Sequence, residues 1–376
     1  MEHSKKLVSC IERCGINLGI GVPDSCLSGI IATIENSTTM SHMKVFSEVE
    51  AISIAVGKYA VTQEMSCVYM QNSGLFNCMN PLASLSNREM FSVPMLIIVG
   101  WRGQPSTNDI VAHHLTGKVT ERIFENLQIP YLIIGKLDDN LIKDVEDLIS
   151  LSKKKRIPVA LLIKRKMFEV GHIQTTYDSP LNDISMAEAM KVIRNTGDKV
   201  KAKYILSNGY PSREFYFLSG GDKSCHDSLY LVGSMGCASA VALGACIFRP
   251  ERKFILIEGD GSLLMHLETV ATIGSFRPKN LLHIVLDNGC YNSTGGQQTN
   301  LQSYQDICKI TRSLGYQYSE RIDKINSILE TLEKAIRVTG PSLLHIKVNK
   351  LVSADLPRIK IVPKVNITKY CDEHKG

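Results

Sequence analysis

The apolar run Lys253 to Glu258 (KFILIE), the turn Gly259-Asp260-Gly261-Ser262, the amphipathic stretch Leu263 to Gly274 and the run Leu281 to Leu286 (LLHIVL) follow one another without interruption. Two short β-branched runs separated by a helical-period stretch make a βαβ crossover, which pairs its strands in parallel. Asp260 and the segment Asp287-Asn288-Gly289-Cys290-Tyr291 then emerge at the carboxyl edge of a sheet, where α/β proteins bind ligands. An acid after the first strand and an amide after the second can supply oxygen ligands to one hard cation. Mg²⁺ takes one or two such protein ligands and completes its shell with water and the phosphates of a cofactor. Gly259 and Gly261 admit a close backbone approach, and the helix opening near Leu263 aims free N–H groups at an anion. An Asp-Gly turn alone is a common way to end a strand; the acid and the amide at this spacing are the specific signal.

The rest of the chain keeps the same rhythm. Strands are predicted at Leu18 to Ile20, Lys44 to Phe46, Cys67 to Met70, Met95 to Val99, Tyr131 to Ile134 and Val159 to Ile163, with helices between them at Ser4 to Cys14, Leu27 to Glu35, Glu48 to Val61, Gly74 to Leu85, Val119 to Asn126 and Asn140 to Ser152. Residues 168–184 turn polar and lose the alternation. A second series follows, with strands at Tyr204 to Leu206, Leu229 to Val232, Phe254 to Ile257, Leu281 to Leu286 and Leu343 to Val348 and a polar tail after Leu351 expected to wrap the surface or a partner. Strict alternation predicts an α/β protein of two doubly wound parallel sheets, one in 1–167 and one in 185–376, joined by the 168–184 linker and with no room for a central third domain.

Hydrophobic residues make up 44% of the 376 positions and charged residues 21%, enough for two cores in a soluble chain. The net charge of +6 is mild, and its densest run, Lys153 to Arg156, ends a predicted helix whose dipole it complements. Composition therefore argues against a nucleic-acid partner and favours a small anionic substrate. Eleven cysteines without a CxxC pair read as reduced thiols, and no run is long enough to span a membrane, which places the protein in the cytoplasm. Without secretion, the glycosylation sequons at Asn36, Asn292 and Asn366 are incidental. Leu18 to Asp24 (LGIGVPD) lacks the third glycine of a dinucleotide fingerprint, so a nicotinamide site is not expected.

GDGS followed by Asn288 resembles the cofactor motif of the thiamine diphosphate-dependent 2-oxo acid decarboxylases, with Asp287 standing where many members have asparagine. The resemblance implies thiamine diphosphate and Mg²⁺ as cofactors, with Asp260, Asn288 and the Cys290 carbonyl on the metal. It further implies cofactor contacts from Gly259, Gly261, Ser262 and Tyr291, from Asn208, Gly209 and Tyr210 after an earlier strand, and from Gln71 and Asn72 in the first half. In Gly233-Ser234-Met235-Gly236, the Gly233 carbonyl would receive the cofactor's amino group and Met235 would wedge beneath it. Glu48, nine residues before Gly57, fits the family's glutamate on the aminopyrimidine ring, whereas Glu50 does not. Such an acid must be buried so that it can exchange a proton with a ring nitrogen.

Ser25, in the GVPDS segment, matches a position lining the substrate pocket, with capping of the next helix by Asp24 or Ser25 as a compatible role. His113 and His114, expected in a long loop after Val99, resemble a proton-handling pair, with simple exposure as the alternative. Arg102, His113, Lys118 and Arg213 are the candidates for an anionic substrate group. Together with Ser293-Thr-Gly-Gly-Gln297, these features look most like the branch of the family acting on phosphonopyruvate and sulfopyruvate. The implied activity is decarboxylation of 3-phosphonopyruvate to phosphonoacetaldehyde and CO₂ in phosphonate biosynthesis. Sulfopyruvate decarboxylation, a pyruvate decarboxylase or carboligase, and a non-catalytic cofactor-binding protein remain as alternatives. The family's habit implies a homodimer or homotetramer with sites at subunit interfaces.

Overall fold

A computed structural model of the chain describes residues 2–168, 184–299, 301, 305–350 and 356–372. The chain divides into two compact units, Met1–Thr175 with Ser293–Asn300, and Thr176–Asn292 with Leu301–Gly376. The first unit thus takes in the short 293–300 segment, which the sequence had grouped with the second half. Most of the expected linker, 169–183, lies outside the described residues.

The first unit carries β1 (Leu18–Gly21), β2 (Ser41–Lys44), β3 (Ser66–Gln71), β4 (Met95–Trp101), β5 (Tyr131–Ile134) and β6 (Pro158–Lys164) in the order β2-β1-β3-β4-β6-β5, every neighbouring pair parallel. On β4, Leu96 and Ile98 join one apolar cluster and Met95, Ile97 and Val99 the other, as period-2 alternation between two covered faces requires. Strand order reverses between β1 and β3, so the loops after these two strands flank the crevice where such sheets bind ligands.

The second unit carries β7 (Lys203–Leu206), β8 (Ser228–Tyr230), β9 (Phe254–Gly259), β10 (Leu281–Asp287), β11 (Tyr318–Ile322) and β12 (Ser342–Lys347) in the order β11-β12-β10-β9-β7-β8, again all parallel. Its reversal falls between β7 and β9. Both sheets are doubly wound with helices on both faces, and no third unit exists among the described residues.

Several expectations need correction. The second strand is Ser41–Lys44, not Lys44 to Phe46: Val45 is buried and its N–H still reaches the Gly21 carbonyl, but pairing ends there as the chain turns to the Ser47 N-cap of the next helix. Gly74 to Leu85 is not one helix but Asn72–Asn77, Met79–Pro81 and a π turn at Leu82–Ser86, since Pro81 cannot donate to a continuous ladder. Tyr210–Leu218, for which no helix is expected above, forms one, and Pro211 sits in its first turn, where a missing N–H costs no helical bond. The described part of the tail forms a helix, Pro363–Asp372, that docks on its own unit. Asn366 is buried there, accepts from the Tyr230 N–H at 2.9 Å and donates to the Ser228 carbonyl at 2.8 Å.

Candidate active site

In the first unit the Glu48–Thr62 helix opens on two acids with different tasks. Ser47 caps the helix by accepting from the Glu50 N–H, and the Glu50 carboxylate reaches back to the Phe46 N–H at 3.0 Å. Glu48 points inward and is 5% exposed. Its carboxylate lies so close to Gly74 that a Cβ there would meet Oε1 at 2.3 Å, so only glycine admits the acid. Glu48 also helps push the Cys78 thiol up, after burial itself. The two acids thus differ in surroundings, Glu48 buried and Glu50 tied to the helix start.

At the β1/β3 reversal, Asp24 is fully buried, accepts from Gln71 Nε2 at 2.7 Å and from the Cys26 N–H at 2.9 Å, and is pushed up by burial. The next helix starts at Ser28 with no side-chain cap, so neither Asp24 nor Ser25 caps it. The Asn72 side chain donates to the Arg102 carbonyl at 2.8 Å and to Thr120 Oγ1 at 3.0 Å, and accepts from the Arg102 N–H at 3.1 Å. That amide therefore clamps the end of β4, leaving the Asn72 backbone as the group able to meet a cofactor.

Arg102 forms a two-pronged pair with Asp109 at 2.8 and 2.6 Å, and its third nitrogen lies 3.4 Å from Ser25 Oγ. Arg165 stands 3.8 Å from the same carboxylate. Burial raises Asp109, but the Arg102 bond and two backbone N–H groups outweigh it and hold the acid well below its usual range. Arg102 also acts electrostatically on the buried Asp24 carboxyl, so two guanidiniums and two carboxyl groups share this corner. Burial first, and then Arg102, draw His113 down to about 4, so it is neutral at pH 7. His113 ends a 3-10 turn, Val111–His113, and His114 begins helix His114–Asn126, so the pair sits at a helix start rather than in an open loop. His114 is exposed and donates to the Asp109 carbonyl at 2.9 Å; Lys118 is exposed one turn on.

In the second unit Asp260 is 2% exposed at the start of helix Asp260–Met265. Asn288 Oδ1 accepts from the Cys290 N–H at 3.1 Å, and Gly289, at φ +70, makes the left-handed turn between them. The Cys290 thiol is pushed up to about 12, by burial first and next by the Asp260 charge, which places that carboxylate within electrostatic reach of the turn. A carboxylate, an amide oxygen and a backbone carbonyl are the donor set a hard, partly hydrated cation takes, and the residues fit Mg²⁺ in that respect. Among the described residues no three His, Cys, Asp or Glu side chains gather into a metal cage.

Asp287, at the departure from the family's asparagine, accepts from His345 Nε2 at 2.7 Å, Lys347 Nζ at 2.8 Å and the Gly289 N–H at 2.9 Å. Burial raises it, but these partners outweigh burial and draw it down to about 2. Ser262 Oγ is engaged with Glu258, Ser207 and the Gly236 N–H. Gly259, Asn208, Gly209, Tyr210, Gly233 and Met235 are half-buried, while Gly261 and Tyr291 are buried against each other. Arg213 donates to the Leu356 and Pro357 carbonyls and lies over the Tyr210 ring, so it is tied to its own chain.

Asp24, Asp109, Arg165, Glu258, His283, His345 and Lys347 were not among the expected site residues. A buried strand interior that nonetheless carries Glu258 and His283 was a visible signal; the partners of the others were not.

Residues 1–124 match the description "Thiamine pyrophosphate enzyme, N-terminal TPP binding domain", and residues 213–346 match its C-terminal TPP binding domain. The chain is 29% identical over 378 residues to a phosphonopyruvate decarboxylase of Streptomyces viridochromogenes, covering 95% of this chain and 91% of that one. It is 25% identical to a sulfopyruvate decarboxylase of Methanosarcina acetivorans, covering 96% and 94%. To the beta subunit of a sulfopyruvate decarboxylase of Methanothermobacter thermautotrophicus it is 32% identical, over 51% of this chain and 97% of the subunit.

Proposed function

Since the chain belongs to the thiamine pyrophosphate enzyme family, we propose that it decarboxylates 3-phosphonopyruvate to phosphonoacetaldehyde and CO₂, with thiamine diphosphate and Mg²⁺, in a phosphonate-forming route. The observation that carries this choice is the similarity to a phosphonopyruvate decarboxylase along 95% of the chain.

Thiamine diphosphate, when bound, supplies the carbon nucleophile and the electron sink that loss of CO₂ from a 2-oxo acid needs. Glu48 would exchange a proton with the pyrimidine nitrogen, a task suited to an acid shielded from water. Asp260, Asn288 and the Cys290 carbonyl would hold the metal. Gly259, Gly261, Asn208, Gly209, Tyr210 and Tyr291 would meet the diphosphate through backbone or side chain and Ser262 through its backbone alone, since its hydroxyl is saturated by protein partners; Gln71 and Asn72 would line the pyrimidine end, and Gly233 with Met235 would seat the ring. The guanidiniums of Arg102 and Arg165, with Arg102 beside Ser25, suit an anionic 3-substituent, with Lys118 as a further cation and Arg213 the weakest candidate because of its carbonyl bonds. His113, neutral at pH 7, would accept rather than donate a proton first, with His114 beside it in solvent.

The sulfopyruvate relatives favour a second reading, in which a sulfonate replaces the phosphonate. Measured kcat/KM for 3-phosphonopyruvate, sulfopyruvate and pyruvate decides it. We expect the phosphonate to lead by at least tenfold; a lead for the sulfonate overturns the substrate, and comparable turnover of pyruvate to acetaldehyde overturns the anion requirement. The working form is proposed to be a homodimer or homotetramer, to be checked by sedimentation.

A further inference from the structure

The Gly233–Gly236 turn, which the proposed function assigns to the cofactor ring, has an unfavourable backbone. Gly233, Ser234 and Gly236 all have left-handed φ, at +96, +49 and +91, and Ser234 has no glycine's freedom to be there. Such a conformation persists only where the surroundings hold it. One of its ties is the Gly236 N–H, which donates to Ser262 Oγ at 3.2 Å.

Ser262 is in turn held by a buried chain of hydrogen bonds. Its hydroxyl donates to Glu258 Oε2 at 2.6 Å, and Ser207 Oγ stands 2.8 Å away. Glu258 Oε1 meets His283 Nε2 at 2.8 Å, and His283 Nδ1 meets the Tyr316 hydroxyl at 3.2 Å. Burial first, and next the Glu258 charge, push the Tyr316 phenol up, so it stays an O–H donor. The protons then have one consistent direction: Tyr316 to His283, His283 and Ser262 to the two oxygens of Glu258, Gly236 and Ser207 to Ser262, the 2.8 Å Ser207–Ser262 bond prevailing over the 3.3 Å contact from Ser207 to Asn208 Oδ1. A hydroxyl offers one donor and two acceptor sites, and Ser262 uses all three. Glu258 and His283 are both 0% exposed in the sheet interior, where an incomplete network would be costly.

The three segments meeting at Ser262 come from the ends of β7, β8 and β9, two of them the strands at the reversal of the second sheet. Ser207 precedes Asn208-Gly209, Gly236 closes the left-handed turn, and Ser262 follows Asp260-Gly261. We propose that Glu258 is a positioning residue which, through Ser262, locks these three loops to one another, so that the diphosphate and ring contacts of the cofactor are presented together. Neither Glu258 nor His283 touches the cofactor in this scheme; they set the backbone that does. The inference rests on the thiamine diphosphate reading of this site.

The test is calorimetric titration of thiamine diphosphate with Mg²⁺ into the full chain, together with the rise in Tm that the cofactor produces. Loss of one hydrogen-bond hub predicts that Ser262→Ala binds the cofactor about tenfold more weakly. Ser262→Thr, which keeps the hydroxyl, should restore affinity to within about twofold of wild type, the residual reflecting one added methyl. Thr311→Ala serves as the control: it removes a buried 2.7 Å bond to Ser319 in the same unit while keeping the Thr311 carbonyl that accepts from the Tyr316 N–H, so the Tyr316–His283–Glu258–Ser262 chain stays complete. It should lower the unliganded Tm yet leave the cofactor-induced rise intact, whereas Ser262→Ala shrinks that rise. Should Ser262→Ala not accumulate as folded protein, Ser207→Ala, which removes one of the three contacts, is expected to weaken binding about threefold. Wild-type affinity in Ser262→Ala (or in Ser207→Ala where that stands in), or an equal loss in Thr311→Ala, overturns the inference while leaving the family reading intact. Failure of the wild-type chain to bind the cofactor overturns both.

Discussion

At the reversal of the first sheet, between β1 and β3, Asp24 accepts from Gln71; at the reversal of the second, between β7 and β9, Ser207 meets Ser262 over the buried Glu258. The same topological position is filled with different chemistry. Around the first, ionisable groups crowd together, the Arg102 and Arg165 guanidiniums with the Asp109 and Asp24 carboxyls, beside a histidine kept neutral by burial and by Arg102. Around the second, every side-chain polar atom of the Glu258–Ser262 chain has a partner. Closely spaced ionisable groups suit the recognition and proton chemistry of a substrate, while a saturated network suits the holding of a cofactor in one pose.

That contrast predicts different failures for the two acids. Glu48→Gln should lower kcat by about 100- to 10,000-fold while the protein still takes up thiamine diphosphate, the size expected for loss of a positioned proton carrier. Asp260→Ala should weaken cofactor binding by more than about 100-fold, since even residues one step behind a metal ligand cost 10- to 100-fold. Titration calorimetry and steady-state rates on both variants separate the effects; equal losses of affinity would erase the distinction between the units.

Asp287→Ala is the next largest change. It leaves His345 and Lys347 without their shared carboxylate, and removal of one partner from a buried pair costs about 3–5 kcal/mol. Urea unfolding should show the loss in the second unit, with Asp287→Asn milder because an amide oxygen still accepts one proton. If both variants unfold at the wild-type midpoint, Asp287 is not the anchor of the Asn288–Cys290 turn.

A smaller effect follows from pH. His42 and His113 are drawn from 6.5 to about 4, in both cases by burial first. A depressed histidine contributes stability that is complete above 6.5 and is lost as the pH falls toward 4. Asp287, drawn from 3.8 to about 2, keeps its contribution until the pH falls below 3.8. The first unit should therefore soften before the second between pH 6.5 and 4, by hydrogen exchange or limited proteolysis, and His113→Gln should flatten part of that slope. Simultaneous loosening of both units would count against it.

The two units also differed in how readily the sequence could be read. The second unit's ligand edge was legible because GDGS and the Asn288 turn sit at the ends of strands only one crossover apart. In the first unit, Glu48 was singled out by its interval to Gly57 and Gln71 and Asn72 by their place after a strand, but the partners of those two were not visible: Asp24 and Gln71 lie 47 residues apart, Asn72 and Thr120 48. Side-chain pairing over such separations leaves no periodic trace. Edge strands failed for a related reason. Ser41–Lys44 (SHMK) and Tyr318–Ile322 (YSERI) carry polar residues because one side faces water, so the apolar run that marks a central strand is missing. Neither Glu258 nor His283 was seen as a pair, although each is a polar residue at a strand position whose neighbours are all apolar.

The most direct test of the whole account is release of CO₂ from 3-phosphonopyruvate by the purified chain, with and without thiamine diphosphate and Mg²⁺. The account predicts CO₂ and phosphonoacetaldehyde in equal amounts, strictly dependent on both cofactors and lost in Glu48→Gln. Turnover that persists without thiamine diphosphate, or a cofactor-loaded wild-type protein that releases no CO₂ from this acid, would contradict it.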